Sequence, residues 1–148
     1  MGQHVRLVHS LHKSKLAEAL STGLKAASEF PALGLEMRSG VVYCWLNQAD
    51  DKLGSSGQRA DFVYLEVQVD EDRCLVADMD LISLAMQYHQ GSGGKPKNPE
   101  ASRLLAEAYR VTAVPLSEYS LGMFCAPEVL VKGDIAPQCV RLAVDQPV

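Results

Sequence analysis

Phe62 to Val69 alternate without a break: Val63, Leu65, Val67 and Val69 point one way, and Phe62, Tyr64, Glu66 and Gln68 the other. Side chains project to opposite faces of an extended chain, so a period of two sustained this long demands a strand with one buried face. Such a face has to be covered by other apolar segments. Two candidates stand out, the β-rich run Val41-Val42-Tyr43-Cys44-Trp45-Leu46 and the later run Pro127-Glu128-Val129-Leu130-Val131. Shorter strands are expected at Val5 to Val8, Arg73 to Ala77 and Val140 to Val144.

Helical signals lie between these strands. Ser10 or Ser14 is positioned to cap a helix whose apolar face uses Leu16, Ala17, Ala19 and Leu20, with Gly23 as its stop. Asp78 or Asp80 caps a second, through Met79 to His89, with Leu81, Leu84, Ala85 and Tyr88 on one side. The third has the clearest start: Asn98 as cap, Pro99 at the first helical position and Glu100 in the first turn. Its predicted buried stripe is Ala101, Leu104, Leu105 and Ala108. Lys25 to Gly40 reads as a long connection, Asp50 to Asp61 as a polar surface loop and Gly91 to Lys97 as a loop tip. Irregularly interleaved helices and strands, with a sheet-heavy second half, predict an α+β fold on a mixed, mostly antiparallel sheet.

At 148 residues the chain is expected to form a single domain, 1–148, around one core. No apolar run approaches the ~20 residues needed to span a bilayer, so no membrane association is expected. Met1-Gly2-Gln3-His4-Val5-Arg6 has no apolar leader, and Cys44, Cys74, Cys125 and Cys139 form no CxxC pair. Both features predict a cytoplasmic protein with reduced thiols. A net charge of −4 gives no basic footprint for coating nucleic acid and leans towards a protein or small-molecule partner.

Several motifs fail on spacing. Counting back from Gly94-Lys95, the glycine that a phosphate loop requires falls on His89, and its Ser/Thr on Pro96. His4, His9 and His12 lack the spacing of a helical metal pair and have no Cys or acidic neighbour, so no metal site is expected. No serine sits in G-x-S-x-G. Glu128 is different. It lies at the mouth of an apolar strand, entered through Pro127 and ended by Gly133, where a carboxylate is rigidly aimed. His9 and Ser10 lie between a strand and a helix, positioned to offer donors and acceptors at a sheet edge. Tyr43 and Trp45, two apart, suit stacking on a flat heterocycle or aromatic core packing.

In this order the pieces resemble the ADP-ribosyltransferase superfamily, especially its His–Tyr–Glu branch. Leu7-Val8-His9-Ser10, then a helix ending at Gly23-Leu24, is similar to that family's entry of strand, His-x-Thr/Ser, helix and Gly-Leu. Val41-Val42-Tyr43 resembles its tyrosine-bearing strand, and Ala126-Pro127-Glu128-Val129-Leu130-Val131 its late glutamate strand. The likeness covers most of the chain; Ser10-Leu11 stands where Gly-Thr is more familiar.

The resemblance implies a split β-sheet with flanking helices and an NAD-dependent transferase that passes ADP-ribose to a protein or nucleic-acid acceptor, NAD serving as co-substrate. It further implies that His9 binds the adenosine-side ribose and that Ser10 backbone groups hold the nicotinamide amide. Tyr43 would stack on the nicotinamide ring, Arg38 would reach the pyrophosphate, and Glu128 would be catalytic at the nicotinamide ribose. Related alternatives are an NAD-dependent RNA 2′-phosphotransferase and a non-catalytic nucleotide-binding or interaction domain of the same fold.

Overall fold

The computed structural model describes residues 3–27, 32–51 and 60–143, so most of the predicted loop 50–61 and the final residues 144–148 lie outside the described residues. The alternating segment forms a strand, β3 (Phe62–Asp70), along the full length of β1 (His4–His12). The pairing is antiparallel, with Leu7 opposite Val67 and His9 opposite Leu65. β1 is thus longer than Val5 to Val8, because its partner offers nine residues of ladder. A short strand, β7 (Val140–Leu142), closes the other side of β3, and the sheet order is β1-β3-β7.

A second antiparallel sheet has the order β2-β6-β4-β5, from β2 (Val41–Cys44), β4 (Cys74–Asp78), β5 (Val114–Pro115) and β6 (Pro127–Lys132). Leu7, Leu65, Val67 and Val69 of the first sheet pack on Val42, Cys44, Val76, Val129 and Val131 of the second. The apolar run Val129-Leu130-Val131 of β6 follows from burial on both faces, since everything from Pro127 to Val131 is buried. Burial also pushes the Cys44 thiol well above its ordinary value and the Cys74 thiol up to about 11, so both stay inert thiols.

The two sheets are stitched at one corner. Trp45 leaves β2 and exchanges both backbone hydrogen bonds with Val8 of β1, at 2.6 and 2.9 Å. Beside it, α1 (Leu16–Thr22) ends at Gly23, whose φ of +84° turns the chain so that Leu24 pairs with Ile135. A Cβ on Gly23 would lie 2.2 Å from the Ile135 carbonyl oxygen, so glycine is required there for space as well as conformation.

Neither predicted serine caps α1. Ser10 lies inside β1, while a 3-10 turn, Lys13–Lys15, precedes the helix and binds the Ser14 amide to His12 Nδ1. Only Ala19 of the predicted apolar face is buried; Leu20 is exposed.

The remaining helices, α2 (Met79–Gln90) and α3 (Pro99–Thr112), pack together. Their starts are as the sequence predicts. Asp78 accepts from the Asp80 amide at 3.0 Å, and Asn98 from the Ala101 amide at 3.0 Å. Their buried faces match prediction only in part: on α2, Ala85 is buried as expected, while Leu81, Leu84 and Tyr88 are half-buried. In α2 the buried residues are Ile82 and Ala85. In α3 they are Ser102, Ala106 and Tyr109, a stripe rotated roughly a third of a turn from Ala101/Leu104/Leu105/Ala108. Small side chains let the helices approach, and the Ser102 hydroxyl donates to the Ala85 carbonyl at 2.8 Å. A leucine stripe would allow neither. Ala77, Ile82, Ala85, Ala106 and Tyr109 form a second core with Leu35.

The architecture is therefore α+β, with three helices and two antiparallel sheets among the described residues. No described helix is long and apolar enough to cross a membrane.

Candidate functional site

In β6, Glu128 lies opposite Ala77 of β4, and Leu130 lies opposite Tyr43 of β2. Directly opposed residues share a face, so Glu128 and Tyr43 project to the same side of the sheet, away from the inter-sheet core. Glu128 is only 4% exposed. A carboxylate buried that deeply has to be paired, and two donors reach one oxygen, Oε2. The Tyr109 hydroxyl donates at 2.6 Å and Arg38 Nη1 at 2.5 Å. Arg38 Nη1 also donates to the Tyr109 oxygen at 2.8 Å, which closes a triangle of three side chains.

Arg38 comes from the 3-10 turn Glu36–Arg38 in the long connection before β2. Its guanidinium carbon lies 4.6 Å from the centroid of the Tyr43 ring and 5.6 Å from that of Tyr109. The charge is thus held by two aromatic faces as well as by the carboxylate. Tyr43 in turn donates its hydroxyl to the Arg38 carbonyl at 3.1 Å. Arg38 Nε is buried with no hydrogen-bond partner, which marks the guanidinium as incompletely satisfied.

Burial works against the charge on Arg38, but Glu128, Tyr109 and Tyr43 together outweigh it and hold the guanidinium above its ordinary value. Burial, then Glu128, drive the Tyr109 phenol well above its own ordinary value. Tyr109 is therefore a neutral donor at physiological pH. A group whose folded pKa is raised adds stability in full below its unfolded value and loses it as pH rises towards the folded one. Tyr109→Phe should accordingly cost ~1.5–3 kcal/mol at neutral pH, the range for a hydrogen bond to a charged group. That deficit should shrink as pH climbs past ~10. Urea unfolding of both proteins at neutral and alkaline pH measures it, and an equal deficit at every pH contradicts the assignment.

A cleft of about 410 Å³ lies between β1, α1 and β2, with Tyr43 among its lining residues. His9, Tyr43, Lys15, Lys25, Glu18 and Thr22 supply its polar groups, over an apolar floor that includes Val42. His9 Nδ1 sits 2.7 Å from the Tyr43 carbonyl oxygen. A carbonyl only accepts, so the proton is on Nδ1 and the ring is oriented by β2. The cleft falls within the ~300–1,000 Å³ range of small-molecule sites. Its two lysines suit an anionic ligand.

His9 and Tyr43 thus line one cleft, with Arg38 against the Tyr43 ring and Glu128 behind Arg38, outside the cleft wall. Ser10 faces away from His9 on β1, opposite Tyr64. Among the described residues, no group of three or more His, Cys, Asp or Glu side chains is placed to hold a metal ion. Sequence reasoning missed Tyr109. Its signal was the spacing Ser102, Ala106, Tyr109, which also falls on one helical face but lost to the more apolar leucine stripe. Compared with known proteins, this chain matches no family model, no curated protein and no solved structure.

Proposed function

We propose that the chain is an NAD-dependent transferase that cleaves the nicotinamide N-glycosidic bond and passes ADP-ribose to a macromolecular acceptor. One observation carries the reading. His9, Arg38, Tyr43 and Glu128, far apart in sequence, fall into one linked chain of contacts beside a ligand-sized cleft.

In this reading nicotinamide stacks on Tyr43, and Lys15 and Lys25 face the pyrophosphate. The glycosidic electron pair leaves with nicotinamide, so positive charge grows on the ribose, as in glycoside cleavage. Glu128 is reached from the Tyr43 ring through Arg38. Because Arg38 and Tyr109 both use Oε2, Oε1 is the atom assigned to the ribose 2′-hydroxyl. The acceptor then attacks the ribose C1′ and releases its proton to solvent; water in that role gives hydrolysis.

Incubation with NAD labelled in the adenylate, with and without cell lysate, tests this. Release of nicotinamide matched by label on a macromolecule or as free ADP-ribose is the expected result, and no release under either condition overturns it.

A second reading, nucleotide binding without turnover, is favoured by the burial of Glu128 and its engagement by two donors. Calorimetric binding of NAD with no nicotinamide released selects it. Absence of any NAD binding overturns both readings.

A further inference from the structure

The buried stripe of α3 leaves its opposite face uncovered. Leu104 and Val111 are 55% and 59% exposed, and they fall on one side of the helix, seven residues apart, with Ala101 and Ala108 alongside. Leucine and valine on the outer surface of an otherwise polar helix form a narrow apolar seam. Next to the seam runs a second stripe, Glu100, Arg103, Glu107 and Arg110, at steps of three and four. Within the chain it is joined as two pairs, Glu100 with Arg103 and Glu107 with Arg110, all four side chains more than half exposed.

Read from its start, the stripe is acid, base, acid, base; read from its end, it is base, acid, base, acid. A two-fold axis between antiparallel helices brings each flank against the same flank of the other copy. Glu100 then meets Arg110 of the second copy, and Arg103 meets Glu107 of the second copy, twice over by symmetry. The same operation lays Leu104 near the second copy's Ala108, and Ala101 near its Val111. Parallel packing about a two-fold axis would instead set the stripe against the opposite flank of the second copy, away from its complementary charges.

We propose that the outer face of α3 is a self-complementary surface whose occupant is a second copy of this chain, packed antiparallel about a two-fold axis. The 14 residues of α3 span ~21 Å, so the contact is small and the dimer dissociates readily, with Kd on the order of 10⁻⁵ M.

Sedimentation equilibrium of the whole chain from ~1 to ~500 μM tests the proposal. Wild type is expected to shift from monomer to dimer across that range. The double variants Arg103→Glu/Arg110→Glu and Glu100→Arg/Glu107→Arg each make the stripe a single sign. Each should remain monomeric at concentrations at least ~10-fold above the wild-type midpoint. Because these side chains are exposed, both variants should keep wild-type circular dichroism. An equimolar mixture of the two should again form dimers. A wild type that stays monomeric throughout overturns the proposal and leaves the face to another partner. A dimer indifferent to both reversals, or a mixture that stays monomeric, also overturns it.

Discussion

Glu128→Gln should reduce nicotinamide release by roughly 10²–10³ while leaving NAD affinity close to wild type. The magnitude is that of removing one pre-aimed electrostatic group from a transition state that develops charge. Glutamine keeps the size of the side chain and can still accept from Tyr109 and Arg38, so what disappears is the negative charge. A charge that acts only as the bond breaks lowers turnover more than binding. Single-turnover release alongside calorimetric affinity separates the two. Equal turnover by variant and wild type removes Glu128 from the chemistry. Loss of affinity with turnover preserved would make it a binding group.

A comparably large effect concerns stability. Arg38→Met leaves the inaccessible Glu128 carboxylate with Tyr109 as its remaining partner, and Glu128→Leu leaves the guanidinium among aromatic rings without an anion. Breaking one side of a buried ion pair costs ~3–5 kcal/mol, because the surviving charge stays desolvated and uncompensated. The double variant Arg38→Met/Glu128→Leu removes both charges together and should recover most of that loss. Urea denaturation of all four proteins gives the coupling directly. Additive losses would mean that the 2.5 Å contact carries no net interaction.

These two experiments pull on one arrangement. Arg38 compensates the charge of Glu128 within a second core, but it also occupies the side of the carboxylate that faces Tyr43. For Glu128 to serve a ribose, the guanidinium has to share the carboxylate with the ligand. A variant that turns over faster and unfolds more easily after Arg38→Met would be the mark of such sharing.

Local pattern reached a good deal of this molecule. The alternation of β3, the Asn98-Pro99 start of α3 and the Gly23 stop of α1 are each written in residues adjacent in the chain, and each forms where the pattern places it. The faces of the helices were less legible. Ala101/Leu104/Leu105/Ala108 and Ser102/Ala106/Tyr109 are both periodic, and apolarity alone selects the first. What decides for the second is a serine hydroxyl reaching a carbonyl on α2 and a phenol reaching Glu128 on β6, contacts with no trace in local periodicity. His9 and Tyr43 could be named as candidates one at a time, but that Arg38 would lie on the Tyr43 ring and not in a solvated loop could not.

Taken alone, the order of residues determined what each segment becomes and which ones carry polar groups, because φ/ψ preference and side-chain period act over a few neighbouring positions. Only the tertiary structure decided which polar groups meet. Arg38 and Glu128 are 90 residues apart, and nothing short of closing the second sheet against the α2–α3 pair brings them within a hydrogen bond. Burial then makes that meeting matter, since a charge deprived of water must find its opposite nearby.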